Sequence, residues 1–318
     1  MNEKHLKFFD EFCHFEKLTG GPDPHMADVV HMCKDLPVEQ KVWRTALYVG
    51  VYNIPTAEAI WTKFPEHPRD NEILYNFFST HWEGMRFRRE RKSVALDSTH
   101  GKNLTRYCDG VERTIEYLLE LHTTDFEDVW AFAMGLPHVG RYAATKLVEC
   151  WRRLGIVNAD CEDIRPKGGW SPRTALAAIL PDTKHDPHGN DVGQANEMAQ
   201  EVKKFFPQLS WYEFEVMLCE YKTSYKTKRQ FPGRSLDSEL SYERAIYDYW
   251  HPNGGVTDHM NTRFLLHPHW ALGEVQGWDP KERLKNLGRV LDRHGYTWSD
   301  YLYSYNSTMD FSHPVRKA

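Results

Sequence analysis

The sequence predicts an all-α fold, and three observations support this class. Apolar residues recur at helical spacing, as at Val42, Ala46 and Val49. Convincing alternating patterns of the kind that predict strands are absent, as are internal repeats and low-complexity runs. A short turn at 136–141, with the sequence L-P-H-V-G-R, separates two apolar-periodic segments, which is typical of paired helices.

Length and composition indicate two domains with an ordinary core. The 318 residues suggest domains of ~150 residues each, which we place at 1–175 and 176–318. Hydrophobic residues make up 41% and charged residues 27%, as in globular proteins that bury a sizeable core. Residues 1–7 lack the apolar centre of a signal peptide, and no apolar run approaches the ~20 residues of a membrane span. We therefore expect a cytoplasmic protein that has no membrane partner.

The predicted helices follow from this periodicity. Two helices occupy 40–64, and Pro55 separates them because proline cannot continue the first. Asp125 is placed to cap a helix that begins at Phe126. The remaining predicted helices lie at 72–79, 103–121, 193–206, 210–221, 238–249 and 280–294, and a polar loop covers 181–194.

The helix–turn–helix at about 125–155 is the most informative part of the chain. Pro137 and Gly140 are expected to turn the chain sharply, and Gly140 lets the backbone approach an outside molecule. The unpaired N–H groups that open the following helix suit a DNA phosphate. His138, Gly140 and Arg141 are therefore candidate DNA contacts. The alternative is an ordinary pair of helices in which the glycine only turns the chain.

A lone carboxylate, Asp160, follows the second helix. An enzyme that acts on a base needs a charge at such a place, to take or orient a proton or to stabilise a cation. Capping of a helix, or an ion pair with Arg165, is the structural alternative. The neighbouring Cys161 could add to C6 of a uracil, although a buried, inert thiol is the simpler interpretation.

Two segments concentrate positive charge in a chain whose net charge is −5. DNA binding requires such local concentration. Residues 86–92 contain five cations and one anion, and residues 222–234 contain five cations and no anion. A solvated helix face is the alternative for the first segment. Lys226, Lys228 and Arg229 of the second segment are candidate contacts to DNA.

The sequence contains no motif for a cofactor. The six cysteines form no C-x-x-C pair, so neither a zinc site nor an iron–sulfur cluster is predicted. The paired histidines at 185/188 and 267/269 sit among prolines and are interpreted as loop residues. Phosphate-binding loops and serine-hydrolase motifs are absent. A divalent cation that bridged phosphate oxygens would leave no motif in the sequence.

The stretch from Leu136 to Asp160 resembles the helix-hairpin-helix DNA glycosylases of the endonuclease III type. In that family an L-P-G-V-G-R turn is followed by a helix and by a catalytic Asp at the spacing found here. The resemblance extends over about 40–165. It implies that Tyr52 and Asn53 lie near the minor groove and the target base, where they could act as a wedge; the alternative is that they only end a helix.

The chain departs from that family at several points. His138 replaces the usual glycine of the turn, and Tyr142 stands where lyase-active members have a lysine, so strand cleavage through a Schiff base is not expected. Asp160 is followed by C-E-D-I-R-P instead of Thr-His. The cysteine loop is missing, and the long C-terminal part has no counterpart in those glycosylases.

Six segments, one of them the turn already described, point to a more specific resemblance that spans most of the chain. They are YVGVYNIPTA at 48–57, the turn at 136–141, DIRPKGGWSPR at 163–173, LCEYK at 218–222, PGRSLD at 232–237 and LGEVQGW at 272–278. With these, the chain resembles a phage offshoot of the glycosylase fold, the α-glutamyl/putrescinyl thymine pyrophosphorylases or amino acid:DNA transferases. The resemblance implies glycosylase-like helical domains with a C-terminal extension, in the cytoplasm of a bacterial host.

This second resemblance implies DNA hypermodification. In double-stranded DNA, a thymine already converted to 5-(pyrophosphoryloxymethyl)uracil would lose pyrophosphate to an attacking amine, such as glycine, another amino acid or putrescine. Asp160 would take a proton from the amine or orient it. The candidate cations for the departing pyrophosphate are Arg88, Arg89, Arg165 and Lys222. The alternatives are a monofunctional DNA glycosylase and a non-catalytic DNA-binding module.

Overall fold

The structure is a computed structural model, and its regular elements are helical. It describes residues 1–18, 23–88, 91–120, 125–164, 169–181, 192–227, 246–252, 257–259 and 262. Within these ranges the helices are α1 (Glu3–Leu18), α2 (Pro24–Cys33), α3 (Val38–Val51), α4 (Ile54–Lys63), α5 (Asn71–His81), α6 (Lys92–Ala95), α7 (Lys102–Leu119), α8 (Phe126–Met134), α9 (Arg141–Arg153), α10 (Trp170–Ile179), α11 (Val192–Lys203) and α12 (Trp211–Thr227). No strand occurs among the described residues, which confirms the predicted all-α class. None of the described helices is both long enough and apolar enough to cross a membrane.

Most of the predicted helices that fall on described residues are confirmed. The helices expected at 40–64, 72–79, 103–121, 193–206 and 210–221 correspond to α3 with α4, α5, α7, α11 and α12. Helices α1, α2, α6 and α10 are absent from the sequence prediction. The helix expected at 238–249 is described only from 246, where 246–250 is helical, and the one expected at 280–294 lies outside the described residues.

The chain forms two compact units, each assembled from separate stretches of sequence. The first, here called the hairpin unit, comprises His25–Asp160 and Tyr242–Leu266. The second, the terminal unit, comprises Met1–Pro24, Cys161–Ser241 and His267–Ala318. The chain therefore passes from one unit to the other between Asp160 and Cys161, whereas the sequence analysis placed a single boundary near residue 175.

Helix α3 lies at the centre of the hairpin unit, where it packs against α4, α7 and α9. Its side chains Val42, Trp43 and Leu47 are fully buried, as their spacing predicts. Burial of each such side chain contributes about 1.5–3 kcal/mol. The indole N–H of Trp43 donates to the carbonyl of Phe64, 2.8 Å away, and so ties α3 to the end of α4.

The junction between α3 and α4 is fixed by local chemistry. Tyr52 ends α3 in the left-handed conformation, with φ of 53°. Asn53 then caps α4, and its side-chain oxygen accepts from the N–H of Thr56 at 3.0 Å. Pro55 lies in the first turn of α4, where its missing N–H costs nothing. The predicted break at this proline is thus confirmed.

A segment far along the chain completes the hairpin unit through a buried polar cluster. His259 is 1% exposed, and its Nε2 lies 3.1 Å from the carboxylate of Asp28. Its Nδ1 lies 2.5 Å from the hydroxyl of Tyr247, and its backbone N–H donates to Glu58 at 3.0 Å. Nearby, Trp250 stacks on Phe77 with ring centroids 6.0 Å apart. We call Asp28, Glu58, Tyr247 and His259 the His259 cluster.

The terminal unit is built around aromatic side chains from α1 and α12. Phe9 and Tyr221 are fully buried, and their ring centroids lie 5.1 Å apart. Helix α10 packs on both α1 and α12. Helix α12 begins with a reciprocal capping box, in which Ser210 and Glu213 each accept from the backbone N–H of the other, at 3.1 and 2.8 Å.

Candidate nucleic-acid interface

Helices α8 and α9 pack together and are joined by a short turn, as the sequence predicts. The Asp125 carboxylate accepts from the N–H of Glu127 at 2.8 Å, so the predicted cap of α8 is confirmed. The turn, residues 135–140, is closed by the N–H of Val139, which donates to the carbonyl of Leu136 at 3.2 Å. We call these residues the hairpin turn.

The left-handed residue of the hairpin turn is His138, whose φ is 56°. Gly140 has φ of −98° and ψ of 179°, an extended conformation that any residue can adopt. The sequence analysis attributed the sharp turn in part to Gly140, and this attribution is wrong. The residue that bends the backbone is instead His138, at the position where the resembled glycosylases have glycine. Glycine adopts a left-handed conformation at the lowest cost.

Gly140 instead leaves open space in front of helix α9. A Cβ added to it would meet no atom within 4 Å. Gly140 is exposed and is the N-cap of α9, and it supplies no side-chain acceptor to the N–H groups of the first turn. A helix start of this kind attracts an anion, since its N–H groups and dipole both favour negative charge.

His138 faces this surface as a neutral side chain at neutral pH. Burial lowers the pKa of its imidazole, and the positive charges of Arg106 and Arg91 lower it further. A neutral imidazole can exchange hydrogen bonds with DNA but brings no charge to it. Arg106 and Arg91 are the positive charges that act on His138.

An aromatic pair brings the α3–α4 junction to the start of α9. The rings of Tyr52 and Tyr142 meet edge to face with centroids 5.5 Å apart. The guanidinium of Arg88 lies over the Tyr52 ring, 5.0 Å from its centroid. Tyr52 is 6% exposed, whereas Tyr142 is 39% exposed. Of the two rings, Tyr142 is the one exposed to solvent, and the sequence analysis assigned it no contact of its own.

Asn53 has a structural role at this junction, as the cap of α4. Its side chain is 6% exposed, and its oxygen is engaged in capping α4. This matches the alternative interpretation of Asn53 as a residue that marks a helix boundary. Its expected role as a wedge stays a prediction.

The buried side chain of Arg91 connects the end of α3 with the hairpin turn, the two predicted DNA-contact elements. Its Nε donates to the carbonyl of Gly50 at 3.1 Å, and its Nη1 donates to the carbonyl of His138 at 3.3 Å. The guanidinium stacks on the ring of Tyr107, 5.1 Å from the centroid. Arg91 is 2% exposed, and burial lowers the pKa of its side chain. The sequence analysis counted this residue only as one charge in a basic segment.

Asp160 is exposed, and its carboxylate pairs with the guanidinium of Arg152 near the end of α9. The structural alternative named Arg165 as the partner, but Arg165 lies outside the described residues. Because 63% of the Asp160 side chain is exposed, its carboxylate can meet a substrate without a change in the fold.

The other candidate cations are described only in part. Arg141 stacks on Trp130, 5.3 Å from the ring centroid. In the terminal unit, the ammonium of Lys222 lies 3.9 Å from the ring centroid of Trp170. The candidates that lie outside the described residues are Arg89, Arg165, Lys228, Arg229 and the side chain of Lys226.

Cys161 has the environment of an inert thiol. It is 5% exposed, and its sulfur lies 2.8 Å from the carbonyl of Asp163, to which the thiol donates. Burial raises the pKa of the Cys161 thiol to about 12. Since the thiolate is the reactive form, this environment favours the interpretation of Cys161 as a packing residue.

A cleft of about 390 Å³ elsewhere on the hairpin unit has the wrong charge for DNA. Its lining includes Glu39, Glu66, Glu112 and Glu116. Only Arg69 opposes them, and its Nε lies 3.5 Å from the Glu112 carboxylate. A negative lining repels phosphates, so we place no nucleic acid there. Within the described part of the chain, no group of three or more His, Cys, Asp or Glu side chains is arranged to hold a metal ion.

Comparison with known proteins adds no relative to this picture. No protein-family model, curated protein or solved structure matches the chain. The inferences below therefore rest on the geometry of the described residues and on the sequence resemblance.

Proposed function

We propose that this chain binds double-stranded DNA through the hairpin turn and the α3–α4 junction and modifies a base there. The observation that carries this proposal is the contact between Tyr142, in the first turn of α9, and Tyr52, at the end of α3. Both segments are DNA-contact candidates on sequence grounds, and their side chains lie together. An open helix start, an exposed tyrosine and nearby guanidinium groups suit a phosphate backbone and an unstacked base.

The reaction we propose is displacement of pyrophosphate from 5-(pyrophosphoryloxymethyl)uracil in DNA by an amine. The amine nitrogen forms a bond to the 5-methylene carbon, and the bond from that carbon to the pyrophosphate oxygen breaks. Pyrophosphate leaves with the bonding electrons, and one proton leaves the nitrogen. The amine is an amino acid, such as glycine, or putrescine. The support for this chemistry is the sequence resemblance, since the geometry bears on DNA contact alone.

Described residues of the hairpin unit have distinct roles in this reaction. Asp160 orients the incoming amine or takes its proton, and its exposure leaves it within reach of a substrate. Arg88 helps to neutralise the pyrophosphate, because a fixed cation aimed at developing charge lowers the barrier. Tyr142, with Tyr52 behind it, fills the space of the flipped base, whose removal from the stack costs a few kcal/mol.

A mass-spectrometric digest of treated DNA tests the reaction. Duplex DNA that contains 5-(pyrophosphoryloxymethyl)uracil is incubated with the protein and a mixture of glycine, glutamate, serine and putrescine. We expect an amine-linked thymidine and free pyrophosphate in equal amounts. The Asp160→Asn variant should lose the product. Asp109→Asn, which changes an exposed carboxylate elsewhere in the same unit, should keep it.

Two results would replace this proposal with another. Free base and abasic sites, independent of added amine, would identify a monofunctional DNA glycosylase, in which Asp160 activates water or stabilises the sugar cation. An unchanged digest together with tight DNA binding would identify a non-catalytic DNA-binding module. Absence of DNA binding at low salt would remove the common basis of all three functions.

A further inference from the structure

Arg91 occupies an unusual environment for an arginine. It is 2% exposed, yet no carboxylate of the described residues pairs with it. Its described partners are two backbone carbonyls and one aromatic ring, and its Nη2 has no hydrogen-bond acceptor. Buried charges are normally paired, so this arrangement requires a reason beyond packing.

The two carbonyls belong to the two elements that meet at the candidate interface. Gly50 lies in the last turn of α3, where carbonyl groups lack helical partners and the helix dipole is negative. His138 is the left-handed residue of the hairpin turn. A guanidinium presents several donors in a rigid plane, so one side chain can hold both carbonyls in a fixed relation.

Close packing leaves this connection little freedom. The Tyr107 ring under Arg91 is 3% exposed, and its hydroxyl donates to the carbonyl of Ala46 at 2.8 Å. A Cβ added to Gly50 would lie 2.6 Å from this ring. A Cβ added to Gly110 of α7 would lie 3.2 Å from both Leu136 and Pro137 of the hairpin segment. The hairpin turn therefore rests directly on α7 and is joined to α3 through Arg91.

We propose that Arg91 is a positioning residue, which fixes the distance between the hairpin turn and the α3–α4 junction so that both engage one DNA duplex. This inference rests on the proposed function for its DNA-binding part. Arg91 itself does not touch DNA, because its side chain is buried beneath the turn. Its effect is exerted through the His138 carbonyl on the orientation of the turn and of the N–H groups that follow.

Amide hydrogen exchange tests the positioning without DNA. Arg91→Met keeps most of the stem and removes both donors, and Arg91→Lys keeps the charge but lacks the planar fork. Loss of charge-assisted hydrogen bonds to the turn should accelerate exchange in residues 136–142 by roughly 10- to 100-fold. Arg44→Met is the matched control, since Arg44 is a half-buried arginine of α3 that stacks on Trp61, whereas the carbonyls of Gly50 and His138 accept from Arg91.

DNA affinity, measured by fluorescence anisotropy on a short duplex across a range of salt, tests the functional part. We expect both Arg91 variants to bind at least tenfold more weakly, with the wild-type slope of log affinity against log salt. Arg141→Met, which removes a cation at the surface, should lower that slope by about one. A general loss of stability would weaken binding in Arg44→Met as well, so the control separates positioning from structural damage.

The outcomes separate this inference from the proposed function. Unchanged exchange in 136–142 in both Arg91 variants would overturn the inference. A reduced salt slope in those variants would also overturn it, because it would make Arg91 a direct phosphate contact. Accelerated exchange in the Arg91 variants, together with a wild-type protein that binds no DNA, would support the anchoring role and reject the proposed function. If Arg91→Met fails to fold, Arg91→Lys gives the same comparisons.

Discussion

Substitution of Gly50 by alanine tests the packing beneath the candidate interface. The new Cβ would lie 2.6 Å from Cε1 of Tyr107, whereas carbon atoms normally approach no closer than about 3.5 Å. The ring would have to move by about 1 Å. It has little room, because it is buried, held at its hydroxyl by Ala46 and covered by Arg91.

Two opposing effects determine how much Gly50→Ala changes the free energy of unfolding. Overpacking of this kind costs about 1–3 kcal/mol, and replacement of glycine by alanine within a helix returns about 0.5–1 kcal/mol. We expect the Gly50→Ala variant to lose about 0.5–2 kcal/mol of unfolding free energy. Urea titration followed by far-ultraviolet circular dichroism measures this loss.

A double-mutant cycle tests whether the clash with the Tyr107 ring causes the loss of stability in Gly50→Ala. Tyr107→Leu removes the atoms that the new Cβ would strike, at a cost of its own. In that background Gly50→Ala should be neutral or stabilising, because only the helix-propensity term remains. Equal destabilisation by Gly50→Ala in both backgrounds would refute the reasoning, since the loss would then not depend on the Tyr107 ring.

Three further predictions concern separate parts of the chain. Gly140→Ala should leave the unfolding free energy within about 0.5 kcal/mol of wild type, because the added Cβ would meet no atom within 4 Å. The same substitution should weaken DNA binding, because the methyl group would stand between the backbone and a phosphate. Unchanged DNA affinity would contradict a close approach of the backbone to phosphate. Burial raises the pKa of the Glu58 carboxyl, although the hydrogen bond from the His259 N–H acts to lower it. Ionisation of Glu58 therefore opposes folding as the pH rises above the pKa of the unfolded state, about 4.3. Glu58→Gln should therefore gain stability relative to wild type as the pH rises above about 4.3. Urea titrations at a series of pH values would measure this gain, and a pH-independent difference would count against it. Iodoacetamide should modify Cys161 about 1,000-fold more slowly in the native protein than in urea, since burial raises the pKa of this thiol to about 12; equal rates at pH 7.5 would show an accessible thiolate.

Local features of the fold could be predicted from the sequence. The break before α4 follows from Pro55, and the start of α8 follows from Asp125, because a turn or a cap depends on residues within a few positions. Helix α1 had a readable signal as well, since Phe8, Phe9 and Phe12 follow helical spacing and all three are buried.

The arrangement of the candidate site could be predicted only in part. The hairpin turn and the α3–α4 junction were identified separately by motif. The contact of Tyr52 with Tyr142, and the link from Gly50 to His138 through Arg91, join residues distant in sequence. No periodicity encodes such contacts, because they depend on how whole helices pack. The left-handed conformation of His138 did have a signal, namely its place at the usual glycine of the turn.

The His259 cluster has a consequence for the order in which the chain can fold during synthesis. Its histidine follows its aspartate partner by 231 positions in the sequence. At roughly 5–20 residues per second, a ribosome needs roughly 10–50 s to add that length. During this interval Asp28 and Glu58 lack the partner that they have in the finished protein, and burying them would be unfavourable. Helices of the hairpin unit that emerge early must therefore wait for a late segment, and a nascent chain that stalls before it would be a target for proteolysis.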